Sequence, residues 1–535
     1  MQAFFAQAGT DALTKTLHAV NDTNAWSSLT PEIGIALLAV LTLVFEMILP
    51  KSLRNVIPNL ALIGIAALIG GLIPSLCHTS QAEYEPIFGG LIYQTEGLFA
   101  GVLPSTTLLR VFFLTAAFFV IFLGARYLKK RDLPVTEFLH IVLVVTGALM
   151  LLVQSNNFVM LFVALETITV GFYILVGYNR KSNASLEAGV KYLVMGGLSS
   201  ALLLFGIVLL YGVAGNPELN KEIAAAGIDA MNFDVLKDFI AAHPTNPLVL
   251  AGISLVIGGI AFKIGAFPFQ IWVPDVYQGA PTPTTAFLAV ASKAAGIFTL
   301  MLLISGPFIS LVVSSNGARP LYWLLAAVTG MTLIFSNITA LGQTNTKRLM
   351  GLSGVSHAGF LLLAILAAAQ PNANNGLAAS AIIIYLIAYL AGAIATFGVM
   401  AEMPGLDDST QSSSDYQLLV KRSPFLAGIL GCSVGSLAGI PPSLGFVAKF
   451  LVIVAALQAQ LYCLAAIALL CVGAGVYYYF AWLREAFQRT WISEERAKEL
   501  STPIEVSVPS RIVLATLATI ILIGGIVQSF LQILL

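Results

Sequence analysis

From residue 31 to the C-terminus the chain alternates between continuously apolar runs and short polar breaks. Each run has roughly the twenty residues that carry a helix across a ~30 Å hydrocarbon core. Inside that core only helices or closed barrels satisfy every backbone N–H and C=O, and the runs lack the apolar–polar alternation of barrel strands. The pattern predicts fourteen helical spans, near 31–50, 56–77, 106–126, 136–153, 157–178, 186–214, 247–267, 284–305, 319–340, 347–369, 376–401, 424–455, 459–483 and 510–534. The fold class is an all-α polytopic membrane protein.

The charges between the runs orient these spans, because cytoplasmic loops collect Lys and Arg. Loops after odd-numbered spans hold sixteen basic residues: Lys51, Arg54, Arg126, Lys129, Lys130, Arg131, Arg180, Lys181, Lys347, Arg348, Lys421, Arg422, Arg484, Arg489, Arg496 and Lys498. Loops after even-numbered spans, with the N-terminal segment, hold four, Lys15, Lys221, Lys237 and Arg319, and also carry Glu83, Glu85 and Glu96. Both termini are therefore expected outside. A miscounted span would scramble this asymmetry.

Composition agrees: 58% of residues are hydrophobic and 10% charged, against roughly 25% charged in soluble domains. Cys77, Cys432, Cys463 and Cys471 form no Cys-x-x-Cys pair and read as core residues, and the five histidines are scattered. Neither a metal site nor a disulfide framework is inferred. The first thirty residues lack the features of a signal peptide and read as a short amphipathic extension. The lipid bilayer is the expected surrounding, and no nucleic acid partner is expected.

Apart from the loops and Arg511 at a span start, five basic residues remain within spans: Arg110, Lys191, Lys263, Lys293 and Lys449. A charge at the bilayer centre costs at least ~2.5–3.5 kcal/mol, so such residues usually face the protein interior and mark ion or substrate paths. Arg110, near a span start, reads as an anchor that snorkels outward. The four lysines lie deeper.

Two spans contain helix breakers at depth. The seventh runs into "GAFPFQIWVP", with Pro268 and Pro274, and the twelfth reads "SLAGIPPSLGFVAKF", with Pro441 and Pro442. Proline removes a backbone donor, and non-helical backbone at that depth is tolerated only inside protein or along a wet cavity. Paired interruptions of this kind point to the site in inverted-repeat transporters. The broken spans lie five apart and each carries a lysine, Lys263 and Lys449, at what reads as the same offset. The chain is thus expected to comprise an extension (1–30), three N-terminal helices (31–127), a five-helix repeat of spans four to eight (136–305), a second, inverted repeat of spans nine to thirteen (319–483) and a C-terminal helix (510–535). The competing account is that glycine and proline are simply common in membrane helices.

Glu166 lies within the fifth span and Lys191 early in the sixth, on helices joined by a short loop, so the two are expected to form an ion pair. A buried pair must hold its charges closely, and losing one partner strands the other. Burial disfavours the charged forms of both groups, so a chain of carboxylates and amines can exchange protons near neutral pH. Freeing Lys191 from Glu166 would repel a proton from Lys263. His357, in "KRLMGLSGVSHAGFLLL", is placed to bridge Lys293 and Lys449, since imidazole titrates near about 6.5; a satisfied core histidine is the alternative. Glu46 is expected at the cytoplasmic interface, and Asp275 to order the connection between spans seven and eight.

These residues resemble a known family. "FKIGAFPFQIWVPDVYQGAPTPTTAFLAVASKAAG", Glu166 in "LFVALETI", Lys191 in "SLEAGVKYLVMG", "KRLMGLSGVSHAGF" and "GIPPSLGFVAKF" closely resemble the antiporter-like membrane subunits of the proton-pumping NADH:quinone oxidoreductase, bacterial complex I. The resemblance runs from about Pro31 to the C-terminus, and "WVPDVYQGAPTP" is closer to the subunit N branch than to L and M. It implies a multi-pass protein of the bacterial inner membrane that translocates protons while other subunits carry electrons from NADH to quinone. Partners would be the other membrane subunits and, through them, the peripheral redox arm. FMN, iron–sulfur clusters, NADH and quinone would belong to the parent complex, with no cofactor or metal on this chain. Carried over by motif, Glu166 and Lys191 would be the switching pair, Lys263 the central proton-binding lysine, Lys293 and His357 the connecting relay, and Lys449 the terminal carrier toward the outer side. The departures are the extension before Pro31 and the polar insertion at 216–246. Two other readings share the Glu and Lys skeleton: a subunit of a multi-subunit cation/proton antiporter, and a structural spacer with vestigial lysines.

Overall fold

The computed structural model describes residues 26–77, 86–87, 92–93, 106–219, 229–313, 319–370, 375–405, 408–487 and 502–527. The first 25 residues, the acidic positions Glu83, Glu85 and Glu96, the basic positions Lys15, Lys221, Arg489, Arg496 and Lys498, and the last residues of the fourteenth span lie outside that set.

Within the described residues, each of the fourteen predicted spans is helical. Twelve helices are individually long and apolar enough to cross a membrane. Thr136–Leu152 supplies span four, and Pro424–Ala438 with Leu444–Gln458 supplies the two halves of span twelve. Beyond the helices, the described residues hold a two-residue antiparallel pairing of Pro86–Ile87 with Ile92–Tyr93.

Burial is graded across the bundle. Span ten, Thr346–Ala368, has its most apolar stretch wholly buried, and span eight, Thr282–Ser305, is 94% buried there. Spans one, two and fourteen expose most of their surface, as lipid-facing helices do. Spans six (Asn183–Ala214) and seven pack closely where small residues meet. A Cβ on Gly206 would lie 2.6 Å from the Gly252 carbonyl, so only glycine admits this approach.

The two broken spans are built alike. The first half of span seven, Pro247–Ile264, starts with Asn246 as N-cap and a proline in its first turn. That of span twelve, Pro424–Ala438, starts with Ser423 and a proline. Each ends at a left-handed glycine, Gly265 (φ 76°) and Gly439 (φ 85°). In both, the glycine N–H bonds the carbonyl three residues back and the next N–H reaches the one five back: Gly265 to Phe262 and Ala266 to Ala261, Gly439 to Ser436 and Ile440 to Gly435. This is the Schellman arrangement, for which a residue with a Cβ is strained. The peptide bonds Phe267–Pro268 and Pro441–Pro442 are cis.

A second feature recurs five spans apart. Asn157, the N-cap of span five, bridges Asn232 in the connection from span six to seven; Asn345, the N-cap of span ten, bridges Ser412 in the connection from span eleven to twelve. The bond patterns match: Phe158 N to Met231 O with Phe233 N to Asn156 O, and Thr346 N to Gln411 O with Ser413 N to Thr344 O. Because five is odd, corresponding features fall at opposite ends of the spans, the signature of inverted repeats.

Two expectations about the breaks are corrected. Pro274 does not break a helix; it lies in the first turn of Trp272–Gly279, where no intrahelical N–H is needed. The lysines are not equivalent either. Lys263 precedes its break, in the last turn of the first half, whereas Lys449 follows its break, in the second half.

Candidate functional site

Glu166, Thr169 and Tyr173 fall on one face of span five, Phe158–Val176, at i, i+3 and i+7. The Glu166 carboxylate lies 3.9 Å from the Lys263 ammonium and accepts a 2.5 Å hydrogen bond from Ser200. Lys263 also donates to the Thr169 hydroxyl. Lys263 is buried, while the Glu166 side chain keeps 26% exposure on the outer face of the chain.

The predicted Glu166–Lys191 pair is absent. Lys191 pairs instead with Glu187 at 2.7 Å and Asp275 at 2.8 Å, and its side chain is 44% exposed. Helix register is the reason. Gly189 packs against Gly177, just beyond the end of span five, so Glu166 comes level with Ser200, roughly 13 Å further along span six than Lys191. Asp275 also holds Arg348 at 2.7 Å, so it does tie the connection after span seven, to spans six and ten together.

Lys293 follows a π-helical turn, Leu288–Ser292, that interrupts span eight. Such turns reorient the residues around them and concentrate at functional sites. The buried ammonium lies 3.3 Å from the Tyr389 hydroxyl and against Gly354, whose imagined Cβ would fall 2.6 Å from it. His357 does not touch either lysine directly. Its Nδ1 is 2.7 Å from the Tyr385 hydroxyl, its Nε2 3.4 Å from that of Tyr479, and its ring 4.9 Å from the Tyr389 ring. A cavity of about 10 Å³, lined by His357, Tyr385, Tyr389, Ser436 and Lys449, separates histidine from lysine. That is about the room one water needs.

Lys449 donates to the Leu437 and Ala438 carbonyls at 2.8 and 2.9 Å. These are the last carbonyls of the first half of span twelve, left free by the break and carrying the negative end of the helix dipole. In span seven the corresponding cap is the Trp272 indole, which donates to the Phe262 carbonyl at 3.2 Å.

Two polar clusters were not read as such from the sequence. At the start of span ten, Lys347 is fully buried, 2.5 Å from the Ala280 carbonyl and 3.5 Å from Asp408. Asp408 accepts from Tyr127 at 2.6 Å and from the Thr282 N–H and hydroxyl. Burial pushes its carboxyl up, but Lys347, Thr282 and Tyr127 outweigh this and hold it below the usual carboxylate range. Lys347 is thus no ordinary loop charge. Nor is Arg110 an interface anchor: it is buried, bonded to both Glu32 oxygens at 2.7 and 3.1 Å and to Gln154 at 2.6 Å. Its acid lies in span one, which sequence spacing does not reveal. Glu46 does meet a basic residue at its span end, Arg54 at 3.6 Å.

Sequence reasoning also missed Thr169, Ser200 and the tyrosines 385, 389 and 479. Thr169 alone had a local signal, at i+3 from Glu166. Among the described residues no group of three His, Cys, Asp or Glu is placed to hold a metal ion.

Two discontinuous helices at corresponding places and a row of lysines buried between them define a polytopic membrane protein of antiporter-like architecture. Residues 155–474 match the family described as NADH:quinone oxidoreductase/Mrp antiporter, transmembrane. The chain belongs to that family. It is 49% identical over 512 residues to NADH-quinone oxidoreductase subunit N 1 of Opitutus terrae, covering 94% of this chain and 96% of the relative. Its fold is similar to a chain of respiratory complex I from Thermus thermophilus with bound aureothin, with TM-score 0.72, 23% identity, and 94% and 99% of the two chains covered. It is also similar to a chain of the Mrp complex from Dietzia sp., with TM-score 0.74, 18% identity, and 95% and 96% covered.

Proposed function

We propose that this chain is a membrane-arm subunit of a bacterial NADH:quinone oxidoreductase that translocates protons across the inner membrane, coupled to electron transfer from NADH to quinone in other subunits. The observation that carries this reading is the row of three buried ammonium groups, Lys263, Lys293 and Lys449, held at mid-span by hydroxyls and free helix carbonyls. Each costs at least ~2.5–3.5 kcal/mol to keep there, a cost that scaffolding does not require. The 49% identity to a subunit N favours the oxidoreductase over the cation/proton antiporter, whose fold is equally similar.

In this reading Glu166 and Lys263 are the pair that loads, Lys293 with His357 the relay, and Lys449 the carrier at the far end. Lys191 acts as a clamp on Asp275 rather than as the partner of Glu166. The repeats are 136–305 and 319–483, supported by the matched caps and bridges, and both termini face the periplasm. FMN, iron–sulfur clusters, NADH and quinone belong to the redox arm. The partly exposed Glu166 supports a neighbouring membrane subunit, rather than lipid, against spans five and six.

The test is Lys263→Ala in the assembled complex. Proton translocation driven by NADH and a short-chain quinone should be lost or strongly reduced while assembly persists. Normal pumping would refute the reading. Sodium-dependent pH recovery in vesicles without a redox donor would favour the antiporter.

A further inference from the structure

Forward of Lys293 a hydrogen bond leads to the Tyr389 hydroxyl, and the Tyr389 ring packs 4.9 Å from that of His357. Backward of it, no hydrogen bond or ion pair among the described residues joins it to Lys263 or Glu166. The gap is crossed by hydroxyl-bearing side chains on four spans. Tyr173 lies two turns beyond Glu166 on the same face of span five, within electrostatic reach of that carboxylate, and its buried hydroxyl has no partner. Its ring meets Tyr192 edge-on at 5.4 Å.

Tyr192 follows Lys191 but points the other way, 1% exposed, braced by Trp272 at 4.8 Å and Phe262 at 6.3 Å. Its hydroxyl is within hydrogen-bonding influence of Ser292 and within electrostatic reach of Tyr173, Tyr277 and Glu166. Ser292 is the last residue of the π turn and precedes Lys293. Tyr277 approaches from the second half of span seven. Its hydroxyl, the Tyr389 hydroxyl and the Lys293 ammonium all surround Gly354, at 3.9, 2.9 and 2.6 Å from an imagined Cβ.

We propose that Tyr173, Tyr192, Ser292 and Tyr277 form a hydroxyl lane that carries the proton from the Glu166–Lys263 pair to Lys293. A hydroxyl both donates and accepts, so each takes a proton on its lone pair, releases its own to the next oxygen and ends unchanged. The donor pair loses one proton and the neutral Lys293 amine gains it. The lane rests on the proposed function, because it has a role only if protons move between these lysines. It assigns the tyrosines of span five and the start of span six to transfer rather than to packing.

The test uses the full chain in the assembled complex, with NADH and a short-chain quinone as substrates. Tyr192→Phe keeps the ring and removes the hydroxyl, and should slow proton translocation about tenfold, ~1.4 kcal/mol, with an altered solvent deuterium effect. Wild-type rate and deuterium effect in Tyr192→Phe, with a defect only in Tyr192→Leu, would make the residue a packing element and overturn the lane. If Tyr192→Phe fails to assemble, Tyr173→Phe and Ser292→Ala decide by the same readouts. Lys263→Ala separates the two claims. Its loss of pumping beside a normal Tyr192→Phe sinks the lane alone, whereas normal pumping in Lys263→Ala sinks the proposed function.

Discussion

The Glu166 carboxylate stands 3.9 Å from the Lys263 ammonium, two spans away in sequence, and the same oxygen, Oε1, accepts a hydrogen bond from Ser200 at 2.5 Å. Among the described residues the carboxylate is the counter-charge that this buried lysine meets, beside its hydrogen bond to Thr169. Glu166→Gln keeps the hydrogen bond but removes that charge. Proton translocation by the assembled complex is expected to fall about tenfold, measured by acidification of inverted vesicles. Ser200→Ala should cost less, since the ion pair remains.

Gly354→Ala tests the position of Lys293 without touching it. The added methyl would collide with the lysine and tyrosine tips at 2.6 and 2.9 Å. A lysine tip moves easily, and alanine favours a helix by about 1 kcal/mol over glycine. Thermal stability should therefore hold or rise while pumping falls, a split that a folding defect would not produce.

Asp408 offers a pH prediction. Its carboxyl is held below the usual value despite burial, so its stabilisation is fully present above the unfolded value, near about 4. It is lost only as pH falls through the lower folded value. Asp408→Asn removes the carboxylate 3.5 Å from the buried Lys347 ammonium and should cost about 3–5 kcal/mol. The resulting drop in melting temperature should be the same at pH 6 and pH 8; a defect that vanishes toward pH 6 would contradict the assignment.

The Glu32–Arg110 pair is expected to serve stability alone, being walled off with Gln154 among spans one, three and four. Glu32→Leu should destabilise the complex by about 3–5 kcal/mol yet leave pumping per assembled complex unchanged. The double variant Glu32→Leu with Arg110→Leu should recover much of that stability in thermal unfolding, because both charges of the pair are then removed together.

The spans were legible because span formation is local. An apolar run of sufficient length must close its own hydrogen bonds in lipid, and prolines inside a run mark a break. Those signals marked the fourteen spans, both broken helices and the depth of Lys263, Lys293 and Lys449. The partners of the charges were not local. A helix turns about 100° and rises 1.5 Å per residue, so a shift of about two and a half turns between spans five and six brings Glu166 level with Ser200 instead of Lys191. The i, i+4 spacing of Glu187 and Lys191 was a sequence signal for the pairing that forms. No such spacing links Arg110 to Glu32 or Lys347 to Asp408. Sequence by itself determined which segments enter the membrane and which carry charge there. Only the packing of spans against one another decided which charges meet and which tyrosines lie between them, because rotation and register are set by contacts between distant segments.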